Sequence, residues 1–371
     1  MNSTVDQITQ RRRGVGLIAH DAALSAGGYT LIAPQTDNGN VYLIDIGGSV
    51  VHQWKMPLRP GRAAVILPNG NLGYNGNHAD SAERYPAWSL WHGGDFSEVT
   101  PDGEVLWHYQ DPSHHHDARW LANGNLLYAA CAPLPVEFAG RLIGGSALAE
   151  GASSYGDVIR EVNRAGQIVW EWKAWEHLEP GDFPIDPGFA RSHWPLVNGL
   201  DVTAQGLVLM SLRTTSGIIG VDKASGKPAL HIPAGVVSHQ HAPQALSNGN
   251  ILTFDNGNFR AGKHVAFSRV LEIDPASNAV VWSYTDELVN AFYSAYMGSA
   301  QRLPNGNTHI TESATGRLFE VTPAGEVVWE YVIPWFAEYP DEAARKYVPG
   351  RQNSVFQTFR YSREQLPWLA A

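Results

Sequence analysis

Two histidines stand at the same distance from the same kind of turn: His116 lies seven residues before Asn123, and His241 seven before Asn248. A neutral imidazole is nucleophilic and takes up protons near pH 7, so two delivered to one place suit nucleophilic or acid–base chemistry. The same count from the other turns finds Arg62, Asn198 and Gly298. Nine residues before the turns stand Pro60, His114, Leu196, His239 and Tyr296, and eight after them Asn77, Cys131, Arg213, Asn256 and Ser313. Arginine beside imidazole suits negative charge developing on oxygen. The hairpin ends therefore bring together His241, His116, Asn198 and Arg213, with His115, His239, Arg62 and Tyr296, as candidate catalytic or substrate-contacting residues. In the run His114-His115-His116, strand alternation puts 114 and 116 on one face and 115 on the other. The three cannot then hold one ion, and neither a metal nor another cofactor is expected.

These positions flank hairpins. Asn-Gly turns recur at Pro68-Asn69-Gly70-Asn71, Ala122-Asn123-Gly124-Asn125, Ser247-Asn248-Gly249-Asn250 and Pro304-Asn305-Gly306-Asn307, with a degenerate copy at Ala204-Gln205-Gly206. Asn-Gly between alternating runs is a strong hairpin signal, because both residues tolerate the left-handed backbone of a tight turn. A second turn alternates with it, and four residues past that turn stand Trp107, Trp170, Trp282 and Trp329, replaced by His52 and Leu230 in the other two copies. Six copies without an amphipathic helix between them predict an all-β, six-bladed propeller. The last copy lacks its Asn-Gly turn, so the N-terminal strand at 28–33 is expected to close the ring. Residues 14–371 are read as one domain after a flexible tail at 1–13, with insertions at 132–156 and 173–195. The repeated Trp and Gly are assigned to packing and turns. The inner hairpins would bring their strand ends, and the listed polar residues, to the axis of the ring.

Composition narrows the classes. The 371 residues carry a net charge of −10, and the one tight basic run, Arg11-Arg12-Arg13, sits near the N-terminus, so no nucleic-acid partner is expected. No apolar run is long enough to span a bilayer, and none follows the arginines as an export signal requires, so no membrane partner and a cytoplasmic location are expected. A single cysteine, Cys131, excludes an internal disulfide. Neither a P-loop nor a nucleophile elbow occurs. Asp117 and Asp255, beside strand ends, are read as backbone acceptors.

The chain resembles the bacterial aryl-sulfate sulfotransferases, which are six-bladed propellers. The likeness runs from Gly28-Tyr29-Thr30-Leu31 through His115-His116-Asp117, Asn198-Gly199-Leu200-Asp201, Ser211-Leu212-Arg213, Gln240-His241-Ala242, Phe254-Asp255-Asn256-Gly257 and Met297-Gly298-Ser299 to Phe319-Glu320-Val321 and Tyr331. It implies a small aromatic substrate and a channel histidine, at the position of His241, that takes a sulfuryl group from an aryl sulfate and passes it to a phenol. His115 or His116 and Arg213 would stabilise the sulfuryl oxygens. One position departs from the family pattern: Leu196, in Trp194-Pro195-Leu196-Val197-Asn198, replaces a histidine. His193 or His239 is the candidate substitute. Two further readings stay open on the sequence: a hydrolase or lyase using His241 and His116 as acid and base, with or without a metal, and a non-catalytic binding module.

Overall fold

A computed structural model describes residues 14–80 and 92–369. The tail expected at 1–13, with its arginines, lies outside the described residues. Within them, six antiparallel sheets form the blades of a propeller. Blade 1 orders its strands Phe359–Tyr361, Tyr29–Ile32, Asn40–Asp45 and Val50–Lys55 from the axis outward. Blade 2 comprises Pro60–Ile66, Leu72–Asn77, Gly94–Val99 and Val105–Gln110, and blade 3 His114–Trp120, Leu126–Pro133, Tyr155–Val162 and Ile168–Lys173. Blade 4 runs from Val197–Val202 to Pro228–Ile232, blade 5 from His241–Ala245 to Ala279–Tyr284, and blade 6 from Ser299–Arg302 to Val327–Val332. First strands of blades 2 to 6 touch their neighbours, whereas the fourth strands of blades 1 to 5 are largely exposed. The Asn-Gly turns thus close the inner hairpins, as their offsets imply.

The N-terminal strand closes the ring as expected, and the closure has a second half. Tyr29, Thr30 and Leu31 pair with Tyr361, Arg360 and Phe359, so blade 1 is built from both ends of the chain. Phe359–Tyr361 escapes sequence reading because it is three residues long and its hairpin partner is not its sequence neighbour. Gly16–His20 adds an unanticipated fifth strand to the outer edge of blade 6. The two insertions meet: Gly144–Ser146 from one lies parallel to Ile185–Ala190 from the other. His193–Trp194 then runs beside Tyr155 and Gly156 of blade 3.

The tryptophans have a partner that the turns conceal. In the third strand of four blades a glutamate stands directly opposite the tryptophan: Glu98 faces Trp107, Glu161 faces Trp170, Glu272 faces Trp282 and Glu320 faces Trp329. The asparagine after each turn glycine donates to that glutamate, Asn71 at 2.7 Å, Asn125 at 2.5 Å, Asn250 at 2.7 Å and Asn307 at 2.7 Å. The next blade supplies a cation to the same carboxylate: Arg164, Lys223, Arg302 and Arg360 in turn. Each cation also lies over the tryptophan ring, 4.5–5.1 Å from its centroid. The indole N–H then donates to a carbonyl of the next blade, from Trp107 to Arg164, Trp170 to Lys223, Trp282 to Pro323 and Trp329 to Ile46.

Blade 4 loses the whole set together. Gly220 stands opposite Leu230, and Leu207 follows the turn glycine in place of asparagine. Blade 1 has Leu43 opposite His52, and there His52 Nε2 lies 3.0 Å from Pro101 O while Trp54 donates to Thr100 O. Replacing Trp107 by Phe removes one N–H bond and should cost about 1 kcal/mol. Glu98→Ala leaves Arg164 and two asparagine amides without their acceptor and should cost about 3 kcal/mol. Urea unfolding of the two variants checks the order: equal losses would show that the carboxylate does not organise the joint.

Candidate functional site

The inner strands reach the axis irregularly. Their pairing registers shift between Pro60 and Ala64, Val197 and Gly199, and His241 and Gln244, and blade 3 shifts opposite Tyr128 and Ala130. Left-handed backbone occurs at the same ends, in His116 (φ 57°), Leu196 (φ 61°), His239 (φ 53°) and Met297 (φ 57°). Such conformations cost free energy in residues with a Cβ and persist only where surrounding structure enforces them. Bulges re-aim side chains. The alternation expected for His114-His115-His116 accordingly fails: the three rings diverge. His114 goes to blade 2, where Nδ1 accepts Gly93 N–H at 3.2 Å and the ring packs on Phe96. His115 turns toward Asp157, and His116 toward the axis.

A cavity of about 150 Å³ lies there, lined by Arg62, His116, Arg213, His241, Ala295, Tyr296 and Met297. Five of these residues belong to the predicted set. Arg62, His116, His241 and Met297 are buried, whereas Arg213, Ala295 and Tyr296 are partly exposed and mark the side toward solvent. Larger depressions exist, including one of about 760 Å³ between blades 1 and 6, but it is open and has no histidine in its lining.

The tautomer of His241 follows from its neighbours. Asn256 donates through Nδ2 to the carbonyls of Ser294 (2.8 Å) and Met297 (2.7 Å), so its Oδ1 is turned to the ring. His241 Nδ1 lies 2.7 Å from that oxygen and must carry the proton. Nε2 is then the lone pair, and the Met297 N–H points at it from 3.3 Å. Burial, reinforced by Arg213, pushes the His241 pKa down to about 3. His116 is also held well below the usual range, by burial and then Arg62. Burial brings the Arg62 guanidinium down to about 9, which leaves it charged at neutral pH. The cavity thus combines uncharged imidazoles with two guanidinium groups, an arrangement fitted to an anionic group that meets a nitrogen nucleophile.

The remaining predicted residues lie outside the cavity lining. Asn198 is buried and donates to Gln240 O at 2.8 Å, tying blade 4 to blade 5. His239 Nε2 lies 3.0 Å from Asp186 Oδ2, with its ring against Phe189 and Phe259. His193 is buried beside Asp157 and His115. Leu196 is fully buried; its N–H donates to Asp157 and its carbonyl accepts from Arg213 N–H. Neither His193 nor His239 therefore supplies to the cavity the imidazole that Leu196 lacks. Asp117 accepts from the N–H groups of Ala118 and Leu200, and Asp255 from Ser238 N–H, as backbone acceptors do. Burial raises the Cys131 thiol far above its ordinary range, which suits packing and not nucleophilic attack.

Two participants were missed as functional residues. Asn256 shares its offset with Arg213, which was the available signal. Asp157 carries none, since it lies on a third strand and not at a hairpin end.

The model of the arylsulfotransferase (ASST) family matches residues 83–333, more than half of the chain. The chain belongs to the arylsulfotransferase family. Among solved structures, a protein of unknown function from Bacteroides caccae superposes with a TM-score of 0.54 at 15% identity, covering 82% of this chain and 93% of that one. A streptogramin B lyase gives 0.47 at 11% identity, covering 86% and 83%, and Kuenenia stuttgartiensis hydrazine synthase gives 0.46 at 11%, covering 79% and 77%. At 15% identity the first of these likenesses speaks for the fold alone. No curated protein sequence matches.

Within this arylsulfotransferase-like propeller the lowered histidine pKa values have a consequence for stability. His241 binds its proton near pH 6.5 when unfolded but only near 3 when folded. Between those values the unfolded chain holds the extra proton, so acid favours unfolding and stability rises with pH. His114, His116 and His309 shift in the same direction. Urea midpoints should therefore fall as the pH is lowered from 6.5 toward 3, and His241→Gln should shallow that slope; an unchanged slope would contradict the neutral, buried ring.

Proposed function

We propose that the chain transfers a sulfuryl group from an aryl sulfate to a phenolic acceptor through His241. The observation that supports this most strongly is the Asn256 lock, which makes Nε2, with the Met297 N–H at 3.3 Å, the unprotonated nitrogen of a ring that lines a cavity with two arginines. In the first half-reaction Nε2 attacks sulfur; the N–S bond forms, the S–O bond to the ring breaks, and the aryl oxygen leaves with the electron pair. Arg213, at the solvent side, and buried Arg62 offset the charge on the sulfuryl oxygens. Nδ1–H continues to donate to Asn256 Oδ1, which helps disperse the positive charge that the ring acquires. In the second half-reaction the acceptor oxygen attacks sulfur, the N–S bond breaks, its electron pair returns to Nε2, and the acceptor proton goes to a base.

The cavity of about 150 Å³ suits the compact sulfuryl head and leaves the aryl ring toward Tyr296 and the mouth. The family histidine replaced by Leu196 has no counterpart in the lining, so the two arginines carry the oxygen-stabilising role.

Exposure to 4-nitrophenyl sulfate should add the mass of one sulfuryl group, mapped to His241, and a phenol should then discharge it. His241→Ala should abolish the adduct, and Arg213→Ala should slow its formation on the order of 100-fold. A protein that forms no adduct and releases no nitrophenol with any phenol tested would refute the proposal.

A further inference from the structure

Sulfuryl transfer to a phenol needs a group that removes the acceptor's proton and, in the reverse sense, protonates a poor leaving group. His241 cannot do both jobs, because its lone pair is the nucleophile. We infer that His116 is that acid–base group and that buried Asp157 and His115 are positioning residues that set its tautomer and stabilise its cation. The inference rests on the sulfuryl-transfer reading and adds to it a proton-handling chain that leads away from the cavity.

The direction of each hydrogen bond follows from the acceptors available. His115 Nε2 lies 3.1 Å from Asp157 Oδ1 and 3.2 Å from Ala130 O, both of which only accept. Nε2 therefore carries the His115 proton. The ring is buried and its pKa is lowered, so it is neutral and Nδ1 is a lone pair. His116 Nδ1 lies 2.9 Å from that nitrogen and must donate to it. The His116 proton is thereby placed on Nδ1, which leaves Nε2 as the basic nitrogen of a ring that lines the cavity.

Asp157 is held for this role from all sides. Its Oδ2 accepts Leu196 N–H at 2.7 Å, its Oδ1 accepts Val197 N–H at 2.9 Å, and His193 Nε2 lies 3.3 Å from Oδ2. Burial alone would raise its pKa, but His193 and His115 hold it well below the usual carboxylate range, so it is ionised. Leu196 thus contributes a backbone N–H to the chain behind the cavity.

In the second half-reaction the acceptor O–H breaks and its proton passes to His116 Nε2 as the S–O bond forms and the N–S bond breaks. The imidazolium so formed shares its Nδ1 proton with His115, beside the Asp157 carboxylate. In the next first half-reaction the His116 imidazolium left by the acceptor returns that same proton to the departing aryl oxygen, and the ring is neutral again. The carboxylate orients and stabilises, and it need not be protonated at any point.

His115, Asp157 and His193 also bring three potential ligand atoms within 4.8 Å of one another. The Ala130 carbonyl beside His115 Nε2 favours a proton at that nitrogen, where a metal would need the lone pair.

Two measurements test the chain. ¹⁵N spectra of histidine-labelled wild-type protein should show His116 protonated at Nδ1 and His115 at Nε2, and Asp157→Asn should disturb both. A His116 protonated at Nε2, or stoichiometric metal in the purified protein that is lost in His193→Ala, would overturn the inference whether or not the protein transfers sulfuryl groups.

The second measurement compares donors. Asp157→Asn, or His115→Phe if the first variant fails to fold, should slow turnover of phenyl sulfate at least about tenfold more than that of 4-nitrophenyl sulfate, because only the more basic leaving group needs the proton. Asp157→Glu should recover part of the loss. Equal slowing of both donors would mark Asp157 as purely structural and refute the relay. A wild-type protein inert toward both donors would refute the transferase reading instead, and the spectra would then decide the relay alone.

Discussion

A carboxylate shut between an asparagine turn, a tryptophan and a cation from the following blade is the joint on which this ring depends. Glu98, Glu161, Glu272 and Glu320 are each buried, which is tolerable only because every one is met by amide donors and by an arginine or lysine. The same cation covers the tryptophan, whose N–H crosses to the next blade. Each joint therefore links two hairpins of one blade to its neighbour, and together the joints hold the outer parts of the propeller in a set spacing. Blade 4 does without all members at once, which shows them to be one device and not separate conveniences.

With the joints at the turn end, the opposite end of each inner strand is released from regular pairing. There the strands bulge, and His116, Leu196, His239 and Met297 adopt left-handed backbone. A regular strand could offer the axis only alternate side chains. The bulges instead send three successive histidines to three different neighbours and let backbone N–H groups of Leu196, Val197 and Met297 take part in the site. The strain sits beside the cavity and is held by the surrounding blades, as is common where geometry serves chemistry.

The electrostatics of the cavity follow from that placement. Burial, reinforced by two nearby guanidinium groups, keeps the imidazoles uncharged, and the uncharged ring is the one with a lone pair to offer. Asn256 and the His115–Asp157 pair then fix which nitrogen holds the proton in each ring. Two guanidinium groups beside uncharged imidazoles set this pocket apart from one built to bind a cationic ligand.

Much of the fold was legible because its signals are local. Asn-Gly turns demand left-handed glycine, alternating runs demand strands, and their repetition counts the blades. The offsets from those turns found five residues of the cavity lining, since a hairpin brings its two ends together whatever the side chains are. What stayed hidden was non-local. Phe359–Tyr361 finds its partner strand more than 300 residues away, Asp157 belongs to a third strand and is reached by blade 4, and the glutamates opposite the tryptophans complete their bonding only in the next blade. Direction was hidden too: the bulges overrule alternation, so His115 and His193 turn to Asp157, His239 turns to Asp186, and none of the three faces the cavity. The amino-acid order by itself determined the blades and which positions arrive at the axis, because turn chemistry acts over a few residues. Only the tertiary structure decided where each arriving side chain points and which nitrogen bears its proton, because those depend on donors and acceptors from blades far apart in the chain.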